Sequence, residues 1–177
     1  MNYHTITYPD QNNGDGLRVV LWLSGCSHHC YNCQNPQTWD ANSGIPFDES
    51  AKEELFRELD KDYISGLTLS GGDPLHEANL DGVLDLVNEI RLSFPNKSIW
   101  LYSGYQWEQL LNDGVYLTKE CAGWKRREIV KQCTIMVDGR YIDSQRNPSK
   151  KFAGSDNQRV IDIQQSLQKG EIILWCQ

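Results

Sequence analysis

Short apolar runs alternate along the chain with longer segments in which apolar residues recur every three or four positions. Continuous apolar runs bounded by turn residues are typical of buried β-strands. On this basis we predict strands at Leu17–Leu23, Ile64–Ser70, Ser98–Tyr102, Cys133–Val137, Arg159–Ile161 and Ile172–Trp175. Pro9–Gly16 is rich in Gly, Asn and Asp and is predicted to be a turn that leads into the first strand.

The segments between these runs have the spacing of amphipathic helices, whose apolar residues fall on one face. The first helix is predicted to begin at Asp48, because aspartate caps helix N-termini well. A second helix carries its apolar face from Leu80 to Ile90 and ends near Pro95. Further helices are expected at Trp107–Leu111, Thr118–Lys131 and Asp162–Gln168, the last of them capped by Gly170.

The alternation of strands and helices predicts an α/β fold with a mostly parallel sheet and right-handed crossovers. Four of the predicted strands end in turns that contain glycine, and polar and thiol residues collect at those ends. In barrel-like α/β folds that edge is the catalytic face. A chain of 177 residues is too short for eight βα units, so we expect one domain over residues 1–177, an incomplete (β/α) barrel.

Three cysteines, Cys26, Cys30 and Cys33, follow the first predicted strand in a C-x3-C-x2-C spacing. Soft thiolate ligands select iron–sulfur clusters, zinc or copper. A four-iron cluster normally takes four cysteine ligands, but the other cysteines of this chain are remote in sequence. A cluster held by three cysteines would leave one iron open, and an open coordination position is where a metal does chemistry.

Two other interpretations of the cysteine loop remain open. A structural zinc site would take His28 or His29 as its fourth ligand. Cys30 and Cys33 also have the C-x-x-C spacing of thioredoxin-like redox motifs, although that interpretation leaves Cys26 unexplained. If a cluster is bound, we expect the two histidines to face solvent or to make hydrogen bonds rather than to ligate iron.

Gly71-Gly72-Asp73-Pro74 ends the second predicted strand. These residue types are common in turns, so an ordinary strand-to-helix turn is one interpretation. The other is that the glycines let the backbone approach and hydrogen-bond a ligand beside the cysteine loop. In that case a larger side chain at Gly72 would exclude the ligand and leave the fold intact.

Composition narrows the classes of function. The net charge of −7 disfavours nucleic-acid binding, which requires a basic face. No apolar run approaches the ~20 residues of a membrane span, and the N-terminus lacks the pattern of a signal peptide. We therefore expect a cytoplasmic protein with no nucleic-acid or membrane partner, whose cysteines stay reduced.

Six motifs follow one another along nearly the whole chain. They are Cys26-x3-Cys30-x2-Cys33, Asn35 with Thr38-Trp39, Leu69–Leu75, Trp100–Tyr105, Val137–Gly139 and Gly154–Arg159. This series resembles the activating proteins of the anaerobic (class III) ribonucleotide reductases, which belong to the radical S-adenosylmethionine superfamily. There are two departures: Asn32 stands where an aromatic residue is common in the superfamily, and Gly114–Arg127 looks longer than in compact members.

The resemblance implies a radical-SAM-like fold and a [4Fe-4S] cluster held by Cys26, Cys30 and Cys33, with S-adenosylmethionine on the fourth iron. One electron from a reduced flavodoxin-like donor would split S-adenosylmethionine into methionine and a 5′-deoxyadenosyl radical. That radical would take a hydrogen atom from a glycine of the large reductase subunit and leave a glycyl radical there.

The resemblance also implies contacts with S-adenosylmethionine. Backbone near Asn32 and Gln34 would lie against the adenine, and Gly71–Asp73 would bind the methionine amino group. Ser103 or Asp138 would reach the ribose or the carboxylate.

Three classes of function therefore remain. The first is this activase. The second is another radical enzyme, either an activase of the pyruvate formate-lyase type or a small-molecule enzyme. The third is a zinc-bound interaction module, which would be colourless where a reconstituted cluster is brown.

Overall fold

One seven-stranded β-sheet organises the computed structural model, which describes residues 1–111, 118 and 121–175. The strands are β1 (Asn2–Asp10), β2 (Leu17–Leu23), β3 (Ile45–Pro46), β4 (Ile64–Gly71), β5 (Ser98–Tyr102), β6 (Ile135–Asp138) and β7 (Arg159–Asp162). The α-helices are α1 (Glu49–Leu59), α2 (Leu80–Ser93), α3 (Trp107–Leu110), α4 (Ala122–Gln132) and α5 (Ile163–Lys169).

The strand order across the sheet is β3-β1-β2-β4-β5-β6-β7. The central strands β2, β4, β5 and β6 run parallel, whereas β1, β3 and β7 pair antiparallel with their neighbours. β3 and β7 form the two edges, so the sheet is open. This architecture confirms the predicted α/β class with an incomplete barrel.

Side-chain caps explain where α1 and α5 begin. Asp48 accepts a hydrogen bond from the Ala51 N–H at 3.0 Å, and Asp162 accepts one from the Gln165 N–H at 2.9 Å. Such caps satisfy backbone donors that the first helical turn leaves without partners. α5 ends at Gly170, whose φ of 70° lies in the left-handed region that suits glycine.

Each face of the sheet carries its own apolar cluster, because successive side chains of a strand point to opposite faces. On the face covered by the helices, Val19, Leu21 and Leu23 of β2 are 0% exposed and belong to the main core. The opposite face carries a smaller cluster. Its members are Trp100, Ile135 and Val137 with the partly buried Tyr102, Phe152, Ala153, Val160 and Trp175.

β1 is the largest difference from the sequence prediction, which assigned no strand before Leu17. It pairs antiparallel with β2 as far as Asp10, inside the segment predicted as a turn. Tyr3 is the only residue of β1 that is buried. A strand that buries one side chain has no apolar run, so the pattern used for prediction does not detect it.

The C-terminal part of the chain also differs from prediction. The last predicted strand, Ile172–Trp175, is wrong: in the described residues this segment contributes one bridge, between Leu174 and Ile161. β7 runs antiparallel to β6 because a polar loop, not a crossover helix, connects the two. Parts of the predicted helix at 118–131 and of the 114–127 segment lie outside the described residues. No helix in the described ranges is long and apolar enough to cross a membrane.

Candidate metal centre and cofactor site

The cysteine loop leaves the carboxyl end of β2 and is held at its start by backbone hydrogen bonds. The Gly25 N–H donates to Thr38 O at 2.7 Å, and the Cys26 N–H donates to Trp39 O at 3.0 Å. These acceptors are the last residue of a 3-10 turn, Pro36–Thr38, and the residue that follows it. The segment that follows the third cysteine therefore folds back onto the first one.

The three predicted ligand thiols share one cavity. Cys26, Cys30 and Cys33 line a space of about 130 Å³ at the carboxyl ends of the parallel strands. Burial raises the pKa of the Cys26 thiol to about 11, and burial also raises the pKa of the Cys30 thiol. Such thiols become thiolates when a metal displaces their protons. In the described residues, no three His, Cys, Asp or Glu side chains are grouped as ligands of a single ion.

The Gly71–Pro74 turn packs directly on the backbone of the cysteine loop. The Gly72 N–H donates to Leu23 O and the Asp73 N–H donates to Gly25 O, each at 2.7 Å. A Cβ added at Gly72 would lie 2.5 Å from Gly25 O. A larger side chain here must displace the loop backbone, so the expectation that it would leave the fold intact is wrong.

Asp73 connects the segments that follow β2, β4 and β5. It is 2% exposed. Its carboxylate accepts hydrogen bonds from Leu75 N–H at 2.8 Å, Ser103 Oγ at 2.9 Å, Gly104 N–H at 3.0 Å and His28 Nε2 at 2.8 Å. Four protein donors therefore surround this charge, and the side chain holds the turn in place.

Ser103 and Asp138 occupy different positions relative to the cavity. Ser103 lines it, and its hydroxyl accepts from the Tyr105 N–H at 3.2 Å while donating to Asp73. Asp138 is 1% exposed; its carboxylate accepts from the Trp107 N–H at 2.9 Å and from Arg159 Nε at 3.0 Å. The structure brings Ser103 to the site, whereas Asp138 lies beneath the neighbouring loop. Their predicted contacts with S-adenosylmethionine stay predictions.

A second cavity of about 200 Å³ adjoins the first and shares Cys30 and Cys33 with it. Gln34 lines this second cavity, together with aromatic side chains from the side of the sheet opposite the helices. Asn32 is exposed, has a φ of 54°, and lines neither of these two cavities. Gln34 therefore lies beside a cavity and Asn32 does not, and the predicted adenine contacts of both residues stay predictions.

Comparisons with known proteins identify the family. Residues 12–161 match the family model described as a 4Fe-4S single cluster domain. The anaerobic ribonucleoside-triphosphate reductase-activating protein of Enterobacteria phage T4 is 40% identical over 161 residues, which cover 90% of this chain and 93% of that protein. The protein of the same name from Escherichia coli K12 is 36% identical over 162 residues, which cover 90% and 97%. The chain belongs to this reductase-activating protein family.

The residues of this activating-protein site fit an iron–sulfur cluster in two ways. The donor set consists of thiols, the ligands that such clusters take. In addition, the indole Nε1 of Trp39 is buried and has no hydrogen-bond partner in the described part of the chain, and Trp39 lines the thiol cavity. A buried N–H without a partner costs free energy. The sulfur atoms of a bound cluster are acceptors that would satisfy it.

Several cavity-lining residues of this family member were missed by sequence reasoning. Arg140 and Tyr141 line the thiol cavity directly after the Val-Asp-Gly motif, which was the available signal. Gln158, which belongs to the last of the six motifs, lines both cavities. Its side chain donates to Gly139 O at 2.9 Å and accepts from the Gly154 N–H at 2.9 Å. The last motif therefore closes the site from the β7 side.

Proposed function

We propose that this protein is the activase of an anaerobic ribonucleotide reductase: a cytoplasmic radical S-adenosylmethionine enzyme that generates a glycyl radical on the large reductase subunit. One observation carries the proposal. Three thiols and the Gly71–Asp73 turn line the same cavity at the carboxyl edge of the parallel strands. The names of the relatives support the choice of reductase as partner.

Cys26, Cys30 and Cys33 would hold a [4Fe-4S] cluster and leave its fourth iron open. When bound, this cluster supplies the electron, received from a flavodoxin-like donor, that cleaves S-adenosylmethionine. The polypeptide contributes binding, orientation and exclusion of water. Trp39 closes one wall of the cavity, and Tyr102 and Tyr141 line both spaces.

The Gly71–Asp73 turn would hold the methionine amino group beside the open iron. Its packing on Gly25 fixes the distance between the turn and the cysteine loop. We assign the adenine to the second cavity, which is lined by Gln34 and by Cys33, the residue after Asn32. Ser103 would face the ribose or the carboxylate, and Asp138 would support that side through the adjacent Gly139; Ser103 and Gly139 both line the cavity.

The proposal is tested by mixing anaerobically reconstituted protein with S-adenosylmethionine, a reductant and the large reductase subunit. Electron paramagnetic resonance should detect a glycyl radical, and methionine should form with it. Pyruvate formate-lyase replaces the reductase in a parallel sample. A radical on pyruvate formate-lyase alone would assign the chain to the other activase class. A colourless, zinc-containing preparation that releases no methionine would support the interaction module.

A further inference from the structure

His28 lies inside the cysteine loop and its side chain is 7% exposed. Its ring packs edge-on against Tyr105, with 4.8 Å between the ring centroids. A Cβ added at Gly104 would lie 2.3 Å from the ring, so the backbone after β5 approaches the histidine as closely as glycine permits. Of the two histidines expected to face solvent or to make hydrogen bonds, His29 is exposed and His28 makes hydrogen bonds.

Both ring nitrogens of His28 have protein partners. Nε2 lies 2.8 Å from Asp73 Oδ2, and the Nε of Arg140 lies 3.2 Å from Nδ1. An arginine Nε–H can only donate, so Nδ1 must be the unprotonated acceptor. The proton is therefore on Nε2 and is donated to Asp73. A single tautomer of His28 therefore satisfies both hydrogen bonds, the one from Arg140 and the one to Asp73.

We propose that His28 is a positioning residue that fixes the cysteine loop against the Gly71–Pro74 turn. His28 lies between two of the thiols, Cys26 and Cys30, and its partner Asp73 belongs to the turn. The link therefore sets the distance between the cluster ligands and the backbone that holds the methionine amino group. This inference rests on the proposed function for the identity of the bound ligand, and on the two hydrogen bonds for the link itself.

Two substitutions separate the roles of the ring nitrogens. The amide of His28→Gln reaches the position of Nε2 and can still donate to Asp73, whereas the shorter His28→Asn reaches only the position of Nδ1. Binding of S-adenosylmethionine is measured by its effect on the paramagnetic resonance spectrum of the reduced, reconstituted protein. We expect about tenfold weaker binding in His28→Asn, because a hydrogen bond to a buried charge is lost, and binding within about threefold of wild type in His28→Gln.

Iron content and melting temperature are measured on the same preparations. Both variants should retain wild-type iron, because no thiol has changed. The control is His4→Ala, which removes a hydrogen bond to Ser43 and should change no readout. Wild-type binding in His28→Asn overturns the proposal. If His28→Asn lowers the iron content or the melting temperature, His28→Gln decides: binding within about threefold supports the link, and a tenfold loss overturns it.

Nitrogen-15 magnetic resonance of the cluster-free protein tests the link without S-adenosylmethionine. We expect the His28 ring to carry its proton on Nε2, and Arg140→Ala to weaken this preference by removing the donor to Nδ1. A ring protonated on Nδ1, or one that averages between tautomers, overturns the proposal. Failure of wild-type protein to bind S-adenosylmethionine would instead overturn the proposed function and leave the tautomer result standing.

Discussion

Two buried charged side chains act at opposite ends of the same strands, and they differ in what surrounds them. Arg18, in β2, is 0% exposed; it donates to Thr68 Oγ1 at 2.6 Å, to Leu67 O at 2.5 Å and to Ser98 Oγ at 2.9 Å. These contacts tie β2 to β4 and β5. Asp73 ties the loops that follow the same three strands, and it lines the thiol cavity.

The difference shows how the fold divides stability from function. Arg18 is enclosed by the sheet and by Trp100, over whose ring its guanidinium lies at 5.4 Å. Burial lowers the pKa of Arg18 to about 10, so the group is still charged at neutral pH. Its hydrogen bonds are complete within the scaffold. At the Asp73 end the three thiols and Trp39 line a cavity, and the buried Trp39 N–H has no partner among the described residues.

The largest expected effect is a loss of iron at the thiol end of the strands without a loss of stability. Replacing Cys26, Cys30 or Cys33 by Ala should abolish iron binding after anaerobic reconstitution, because each thiol is a proposed ligand. The free energy of unfolding of the cluster-free protein should change little, since all three residues are partly exposed. Iron analysis and urea unfolding measure the two quantities. A variant that keeps full iron would contradict the ligand assignment.

Cysteines outside the loop provide the control for this experiment. Cys121→Ser and Cys133→Ser should retain the cluster. Cys133 is 0% exposed and its thiol donates to Ile129 O at 3.2 Å, a bond that the serine hydroxyl can also make. Loss of iron in either serine variant would show that a ligand has been misplaced.

The next largest effect concerns the Arg18 end of the strands. Arg18→Met should lower the free energy of unfolding by about 3 kcal/mol, because buried oxygens lose their donor. The iron content per folded molecule should not change. Arg57→Met, at a side chain 64% exposed, is the matched control and should stay within about 0.5 kcal/mol of wild type. A stable Arg18→Met, or one that folds and loses its cluster, would show that the two ends are not separate.

Local sequence patterns were sufficient for the central strands of the sheet, and they singled out the three thiols that share a cavity. β2 and β5 have the predicted bounds because each contains a short apolar run, Val19–Leu23 in β2 and Ile99–Tyr102 in β5. The cysteine spacing is itself local, so it could be read before any fold was known. β1 was missed because its pairing with β2, rather than its own side chains, makes it a strand.

The partners of individual side chains could not be predicted, because they come from distant positions. His28 meets Asp73 across 45 residues and Arg140 across 112 residues. No spacing rule connects such residues. The packing of Gly72 could not be predicted for the same reason: the atom that its Cβ would strike belongs to Gly25, on the loop after another strand.

The smallest effect tests whether the Trp39 N–H, at the Asp73 end of the strands, is an unsatisfied hydrogen-bond donor. Trp39→Phe keeps the ring but removes the buried N–H. In the cluster-free protein it should leave the free energy of unfolding unchanged or raise it by about 1 kcal/mol, because an unpaired buried donor is removed. In the loaded protein it should make the cluster harder to reduce. We expect roughly a tenfold shift of the reduction equilibrium, or about 59 mV for one electron.

Trp22→Phe is the matched control, because the Trp22 N–H has a partner. It donates to Thr7 Oγ1 at 2.9 Å, so its removal should lower the free energy of unfolding by about 1 kcal/mol. In urea unfolding of the cluster-free proteins, the free energy of unfolding should therefore stay unchanged or rise for Trp39→Phe and fall for Trp22→Phe. A loss of equal size in both, with an unchanged cluster potential in Trp39→Phe, would show that the Trp39 indole belongs to the scaffold. The contrast with the Arg18 end would then rest on the thiols alone.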